Sequence, residues 1–279
     1  MSKVWFITGA GSGIGAGTVR AALQAGDHVV ATGRNVQKLR NALRVVAGEN
    51  LDVLQLDVSD EAQAAAVVGQ AVQKFGRIDV VVNNAGYSLL GNFEELETRD
   101  IERQLASNFW GVLHVMRAAL PVMRKQRSGH IINISSVAGV VGLKHCSAYG
   151  ASKFAVEGLS LSVVEEVGRF GIKVTVVEPG FFRTDLLSEA NAKWAGKRID
   201  DYAATEVSAR EMWSPYAGTQ PNDPGKLGEI LVTLAGMETP PRIFAAGPDA
   251  IEAVGAAVEA RLKAVHALEV LSKSTRGRF

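Results

Sequence analysis

Two side chains with complementary chemistry stand four residues apart in Ser147-Ala-Tyr-Gly-Ala-Ser-Lys153, a phenol at Tyr149 and an ammonium at Lys153. The apolar run Phe154 to Leu161 follows at helical spacing. The spacing predicts one helix with both groups on one face, about one turn apart. Free tyrosine has a pKa of roughly 10, too weak an acid for work near neutral pH. A neighbouring positive charge stabilises the phenolate and lowers that pKa. At ~4 Å and an effective dielectric of ~20 the charge contributes ~4 kcal/mol, about three pKa units. Such a pair is a tuned proton donor or acceptor. A Tyr-x-x-x-Lys pair also fits an ordinary helix face, so its meaning depends on what the chain brings to the phenol.

The chain that must position this pair has 279 residues, 47% apolar and 21% charged, with a net charge of +1. That balance suits a globular protein with a sizeable core. No basic run marks a nucleic-acid partner. No apolar stretch approaches the ~20 residues that span a bilayer. No signal or transit segment is read before Lys3. The single cysteine, Cys146, excludes an intrachain disulfide, and the five histidines form no His-x-x-x-His pair. A cytoplasmic protein without a metal is expected.

Residues 3–8 read as a buried strand. Thr8-Gly9-Ala10-Gly11-Ser12-Gly13-Ile14-Gly15 follows, and then the helical run Thr18 to Ala25. Strand, glycine loop and helix bring backbone N–H groups and a helix N-terminus against a diphosphate. The loop lacks the Gly-Lys-Ser/Thr ending of a nucleoside triphosphatase, so a dinucleotide is expected. A second strand, residues 27–32, ends in Gly33-Arg34 with no carboxylate. An acidic residue there would bind a ribose 2′-hydroxyl. Arg34 suits a 2′-phosphate instead, because a guanidinium is always charged and binds bidentately. Arg34 also fits the plainer role of a solvated residue opening the next helix.

Alternation continues to the end. Asn35 caps a helix to about residue 47, and Ser59 one to about 75. Strands are expected at 51–56, 78–82, 129–134, 172–177 and 242–246. A polar helix is expected from near 98, passing into a long one over 107–126; further helices are expected at 147–170 and 224–237, with an amphipathic one at about 249–271. This pattern predicts one α/β domain over residues 1–279, with a parallel sheet of about seven strands covered by helices on both faces. Polar or glycine positions recur after strands at Gly9, Asp57, Asn84, Ser136 and Pro179. Ligands of open α/β sheets sit at those strand ends.

These motifs together resemble the short-chain dehydrogenase/reductase family, in its single-domain branch with a Rossmann-type doubly wound sheet. The match rests on Thr8-Gly9-x-x-x-Gly13-x-Gly15, Asn83-Asn84-Ala85-Gly86, Asn108, Ser136 thirteen residues before Tyr149, Tyr149-x-x-x-Lys153, and Pro179-Gly180 with Thr184. It covers about residues 3–185 and the strand near 243. The resemblance implies that Tyr149 exchanges a proton with the substrate oxygen and that Lys153 lowers its pKa and binds the nicotinamide ribose. Ser136 holds the carbonyl oxygen, and Asn108 anchors a water linking Lys153 to solvent. Asp57 and the Val58 amide read adenine, Asn84 braces the strand ends, and Thr184 meets the carboxamide. The cofactor set is completed by Gly9, Gly11, Ser12, Gly13, Ile14, Gly15, Ala85, Gly86, Pro179, Gly180 and Phe182. Phe182 departs from the family pattern, because many relatives carry an aliphatic residue there. Ser135 is a rival to Ser136 with the wrong spacing, and Asn108 also fits a buried capping residue. Cys146 and His145 also lie near the site; a small buried cysteine beside a pocket is the plainer reading of the thiol.

Carbonyl reduction needs a hydride that no side chain supplies, so a cofactor is required, and NADPH is expected over NADH. The connection 181–223 is long enough to be a substrate lid. Its aromatic residues, among them Phe181 and Trp213, face a second wall at Leu89, Leu90, Val140, Val141 and Leu143. Few charges stand there, so a bulky apolar ketone or secondary alcohol is expected. Apolar surface on helices 107–126 and 147–170, and the resemblance, point to a homodimer or homotetramer. Two other functions fit less well. A sugar-nucleotide epimerase or dehydratase has a different glycine spacing and a larger C-terminal domain. A dinucleotide-sensing regulator typically lacks the tyrosine or the lysine.

Overall fold

The computed structural model describes residues 2–189 and 191–277. Its elements in chain order are β1 Val4–Ile7, α1 Gly13–Gln24, β2 His28–Gly33, α2 Val36–Leu43, β3 Leu51–Gln55, α3 Glu61–Phe75 and β4 Val80–Asn83. There follow β5 Leu89–Leu90, α4 Thr98–Leu105, α5 Gly111–Gln126, β6 Gly129–Ile134, α6 Ser147–Val167 and β7 Ile172–Pro179. Last come β8 Lys193–Trp194, α7 Asp200–Ala203, α8 Ala209–Trp213, α9 Pro224–Gly236, β9 Ile243–Ala246, α10 Pro248–Ala267 and α11 Glu269–Lys273.

Seven strands form one parallel sheet in the order β3-β2-β1-β4-β6-β7-β9. The apolar runs read as strands are these seven, and alternate side chains feed opposite cores. Trp5, Ile7, Val29, Ala31, Val80 and Val82 pack under α1, α2 and α9. Phe6, Val30, Val81 and Ile131 pack under α3, α5 and α6. Strand order reverses between β1 and β4, so β1, β4 and β6 open their C-terminal ends onto one crevice.

Three local readings are corrected. Asp60, not Ser59, caps α3, accepting a hydrogen bond from the Gln63 amide at 3.0 Å. Ser59 instead donates to Asp57 Oδ1 at 2.7 Å. Asn35 does cap α2, but that helix ends at Leu43 and passes into a tight turn over Arg44–Val46. The long helix expected from Ser107 begins as α5 only at Gly111, because a π-helical segment, Ala106–Trp110, joins it to α4. A widened turn of this kind is invisible to a 3.6-residue period and is frequent at functional sites. The short β5–β8 sheet was also not foreseen; β8 lies in the 181–223 segment, of which residue 190 falls outside the described residues.

Candidate active site

The crevice is built first from the β1–α1 loop. Gly9 and Gly13 have φ of +63° and +51°, where a Cβ is disfavoured. A Cβ on Gly13 would also meet Thr184 Cγ2 at 2.8 Å. Asn84 clamps the loop, its Nδ2 donating to the carbonyls of Thr8 and Gly9 at 3.0 Å each. Thr8 Oγ1 accepts from the Asn84 and Ala85 amides at 3.0 Å. The Ser12 side chain makes no capping bond, and the first turn of α1 carries no acid. The helix therefore presents amide donors and a positive dipole end to the crevice, the arrangement a diphosphate needs. Arg34 and Lys38 line the same crevice, and Asp57 and Asp185 are its carboxylates among the described residues. A dinucleotide fits this donor set.

The opposite wall comes from α6 and the end of β6. Tyr149 and Lys153 lie one turn apart, and both are buried. Lys153 Nζ donates to the Ile134 carbonyl at 2.8 Å and stands 5.7 Å from the centre of the Tyr149 ring. Burial pushes the phenol up to about 12, with the Ser136 side chain pulling the other way. Burial also pushes the Lys153 ammonium down to about 8, against the attraction of Glu157. The expected lowering of the phenol by Lys153 is thus not what governs this site. Dehydration of both groups outweighs their attraction, and the ammonium is turned to a backbone carbonyl.

Ser135 and Ser136 point apart, as neighbours leaving a strand do. Ser135 Oγ is buried and donates to the Lys153 carbonyl at 3.4 Å. Ser136 is half-buried and lines the crevice with Tyr149. Asn108 lies in the π-helical segment and does not line the crevice. Its Nδ2 donates to Tyr87 O at 3.0 Å and Ser152 Oγ at 3.2 Å, and its Oδ1 accepts from the Tyr87 amide at 3.1 Å. Ser152 Oγ in turn donates to the Tyr149 carbonyl at 2.7 Å. Both side-chain N–H bonds of Asn108 are therefore made to protein, which fixes the orientation of its amide.

Gly9, Gly11, Ser12, Gly13, Ile14, Arg34, Asp57, Val58, Asn84, Ala85, Gly86, Pro179, Gly180, Phe182 and Thr184 line the crevice together. Gly15 does not; it packs against Gly9 and Asn84 behind the loop. Leu90, Leu143, Phe181 and Trp213 line the end near Tyr149, and Val141 does not. Val141 is carried past that wall by the turn Val137–Gly139, which its amide closes onto the Val137 carbonyl at 2.8 Å. Phe181, Trp213 and Tyr216 form one aromatic cluster with ring centres 5.5–6.2 Å apart. Tyr202 is directed away, donating to Glu94 Oε2. The Cys146 thiol lines the crevice but is pushed up to about 12 by burial, which keeps it a protonated wall group.

Four residues escaped the sequence reading. Lys38 stands one turn beyond Arg34, a spacing that could have been noticed. Ser152 carries no motif. Gln220 is buried in the wall with its Oε1 unpartnered, which only the folded chain reveals. Asp249 Oδ2 accepts from the Phe181 amide at 2.6 Å, and its Oδ1 accepts from Asn222 Nδ2 at 2.7 Å, tying α10 to the end of β7.

A parallel sheet with a glycine loop at its switch point, facing a buried Tyr–Lys pair, defines a dinucleotide-binding oxidoreductase. The family model for short chain dehydrogenase matches residues 3–195. Oxidoreductase BOA17 of Botryotinia fuckeliana is 39% identical over 265 residues, covering 93% of this chain and 94% of that protein. The 3-ketodihydrosphingosine reductase of Bacteroides thetaiotaomicron is 34% identical over 250 residues, covering 88% of each. Among solved structures, a short-chain dehydrogenase from Streptomyces avermitilis superposes with a TM-score of 0.90 at 33% identity, over 99% of this chain and 100% of that one. ElxO with NADP bound superposes with a TM-score of 0.69 at 33% identity, over 84% and 92%. The chain belongs to the short-chain dehydrogenase family and is an NAD(P)-dependent oxidoreductase. No described helix is long and apolar enough to cross a membrane, and no metal-binding cluster occurs among the described residues.

Proposed function

We propose that the protein reduces bulky apolar ketones with NADPH, using Tyr149 as the proton donor. One observation carries this reading. Ser136, Tyr149 and Lys153 share a crevice with the glycine loop at its other end and with Arg34 and Lys38 beside that loop. The reduced nicotinamide, when bound, supplies the hydride. Ser136 Oγ and the Tyr149 phenol donate hydrogen bonds to the carbonyl oxygen as negative charge gathers there. Tyr149 then yields its proton to that oxygen. Lys153 would hold the ribose hydroxyls of the bound cofactor in place of the Ile134 carbonyl, and its charge would lower the phenol pKa that burial has raised. Arg34 and Lys38 would hold a 2′-phosphate, which would favour NADPH over NADH.

Leu90, Leu143, Phe181, Leu186, Leu187 and Trp213 support an apolar substrate, and the 181–223 segment acts as the lid over it. Gln220 offers one acceptor for a donor on the ligand. The relative named 3-ketodihydrosphingosine reductase is in keeping with a keto substrate. The protein works as an isologous dimer through α5 and α6, where Phe154 and Leu161 of α6 and Trp110, just before α5, remain 45%, 38% and 48% exposed. The test is Tyr149→Phe. Turnover should fall by roughly 10²–10⁴-fold while NADPH affinity stays within about twofold. Retention of more than about a tenth of the rate would remove Tyr149 from the proton step.

A further inference from the structure

One polar side chain in the wall of the crevice is left without a partner. Gln220 is 2% exposed, and its Oε1 makes no hydrogen bond among the described residues. It lines the crevice with Phe181, Leu187 and Trp213. At that exposure bulk solvent does not serve the oxygen. A buried acceptor left unpaired is costly, and native chains seldom keep one without a use. The polar groups around it are committed elsewhere. Arg183 Nε donates to the Gln220 backbone carbonyl at 3.1 Å, which fixes the main chain and leaves the side chain out. Trp213 Nε1 donates to the Lys144 carbonyl at 3.2 Å. Asn222 Nδ2 donates to Asp249 Oδ1 at 2.7 Å, and Asn191 Nδ2 to the Asp185 carbonyl at 3.1 Å.

We infer that Gln220 Oε1 recognises a hydroxyl carried by the substrate, so that the substrate is an apolar ketone with an alcohol group besides its carbonyl. This rests on the proposed ketone reduction and names its substrate more closely. A hydroxyl donates one hydrogen bond, which is what the free oxygen accepts. It is neutral, so bringing it to a wall of Phe181, Leu187 and Trp213 costs far less than bringing a cation there. A carboxylate or an ether only accepts, and would leave the oxygen unpaired. A site built around such a bond discriminates sharply against the analogue that lacks the donor. Gln220 is thus a specificity residue, while Ser136 and Tyr149 hold the carbonyl.

The test uses the full chain with NADPH, an unbranched medium-chain methyl ketone, and its hydroxy and methoxy derivatives substituted at successive carbons. In the wild type, one hydroxy isomer should exceed the parent ketone in kcat/KM by about tenfold or more, and its methoxy counterpart should not. Gln220→Leu should bring that hydroxy isomer down to the level of the parent ketone, mainly by raising its KM. A wild type indifferent to the hydroxyl at every position would overturn the inference. So would a methoxy isomer that serves equally well, or a preference that survives Gln220→Leu. The wild-type comparison decides the matter even where Gln220→Leu does not fold. Failure of the underlying reading looks different: with no turnover of any ketone, the proposed reduction falls and this inference with it, whereas turnover without preference overturns this inference alone.

Discussion

At the scale of single residues, the site is governed by burial as much as by pairing. Tyr149 and Lys153 each lose water, and their pKa values move in the directions that oppose charge. Glu157, one turn beyond Lys153, is pushed up to about 7 by burial, with Glu178 adding to the rise and Ser135 and Lys153 opposing it. Its folded-state pKa lies above the unfolded one, so folding takes up a proton between pH 4.5 and about 7. Stability from this group is therefore full below that window and lost as pH rises through it. Glu157→Gln should flatten the decline, as read from urea midpoints at pH 5 and pH 7.5; an unchanged slope would exclude Glu157 as its source. Arg34→Ala should raise the KM for NADPH about tenfold or more and barely move that for NADH, because a charged hydrogen bond contributes ~1.5–3 kcal/mol. Gly33→Asp should turn preference towards NADH by repelling the 2′-phosphate. Equal effects on both cofactors would refute the 2′-phosphate assignment. The motif residues of this site were legible in the sequence because backbone geometry and proton chemistry tolerate few alternatives there. Lys38, Ser152 and Gln220 were not, since their roles come from neighbours brought in by the fold.

At the scale of elements, the strands were the most readable parts. Each is a short apolar run ending in a polar or glycine residue, and a strand buried on both faces needs just that. The glycine loop was readable for the same local reason. The π-helical segment Ala106–Trp110 was not, because its extra residue shifts register without changing composition. The interior of 181–223 was unreadable too. Its short helices, including α7 and α8, owe their places to contacts such as the Trp213 Nε1 bond to the Lys144 carbonyl at 3.2 Å and the ion pair of Lys144 with Glu206. Phe181, Phe182, Leu186, Leu187 and Trp213 reach the crevice and Tyr202 does not, because residues in so long a connection are sorted by packing rather than by period. Trp213 both lines the crevice and anchors that segment. Trp213→Ala should therefore raise KM for the best ketone about tenfold, with kcat changed less than threefold, since a lost aromatic wall removes ~1.5–3 kcal/mol of burial. A fall in kcat with KM unaltered would instead make the residue part of the chemical step.

At the scale of the whole molecule, the dimer proposed through α6 and the start of α5 rests on the apolar surface exposed there. A 29.6 kDa species alone at micromolar concentration would contradict it. Asp249 fixes the start of α10 to the backbone of Phe181 in the crevice wall. The central claim concerns what the molecule does when complete. It is tested most directly by following NADPH oxidation across a series of ketones of increasing apolar size. The account predicts that kcat/KM climbs about three- to fourfold per added methylene, at ~0.8 kcal/mol each, until the crevice is filled, and that NADPH outperforms NADH throughout. A flat series, a preference for the smallest or a charged ketone, or equal use of both cofactors would contradict it.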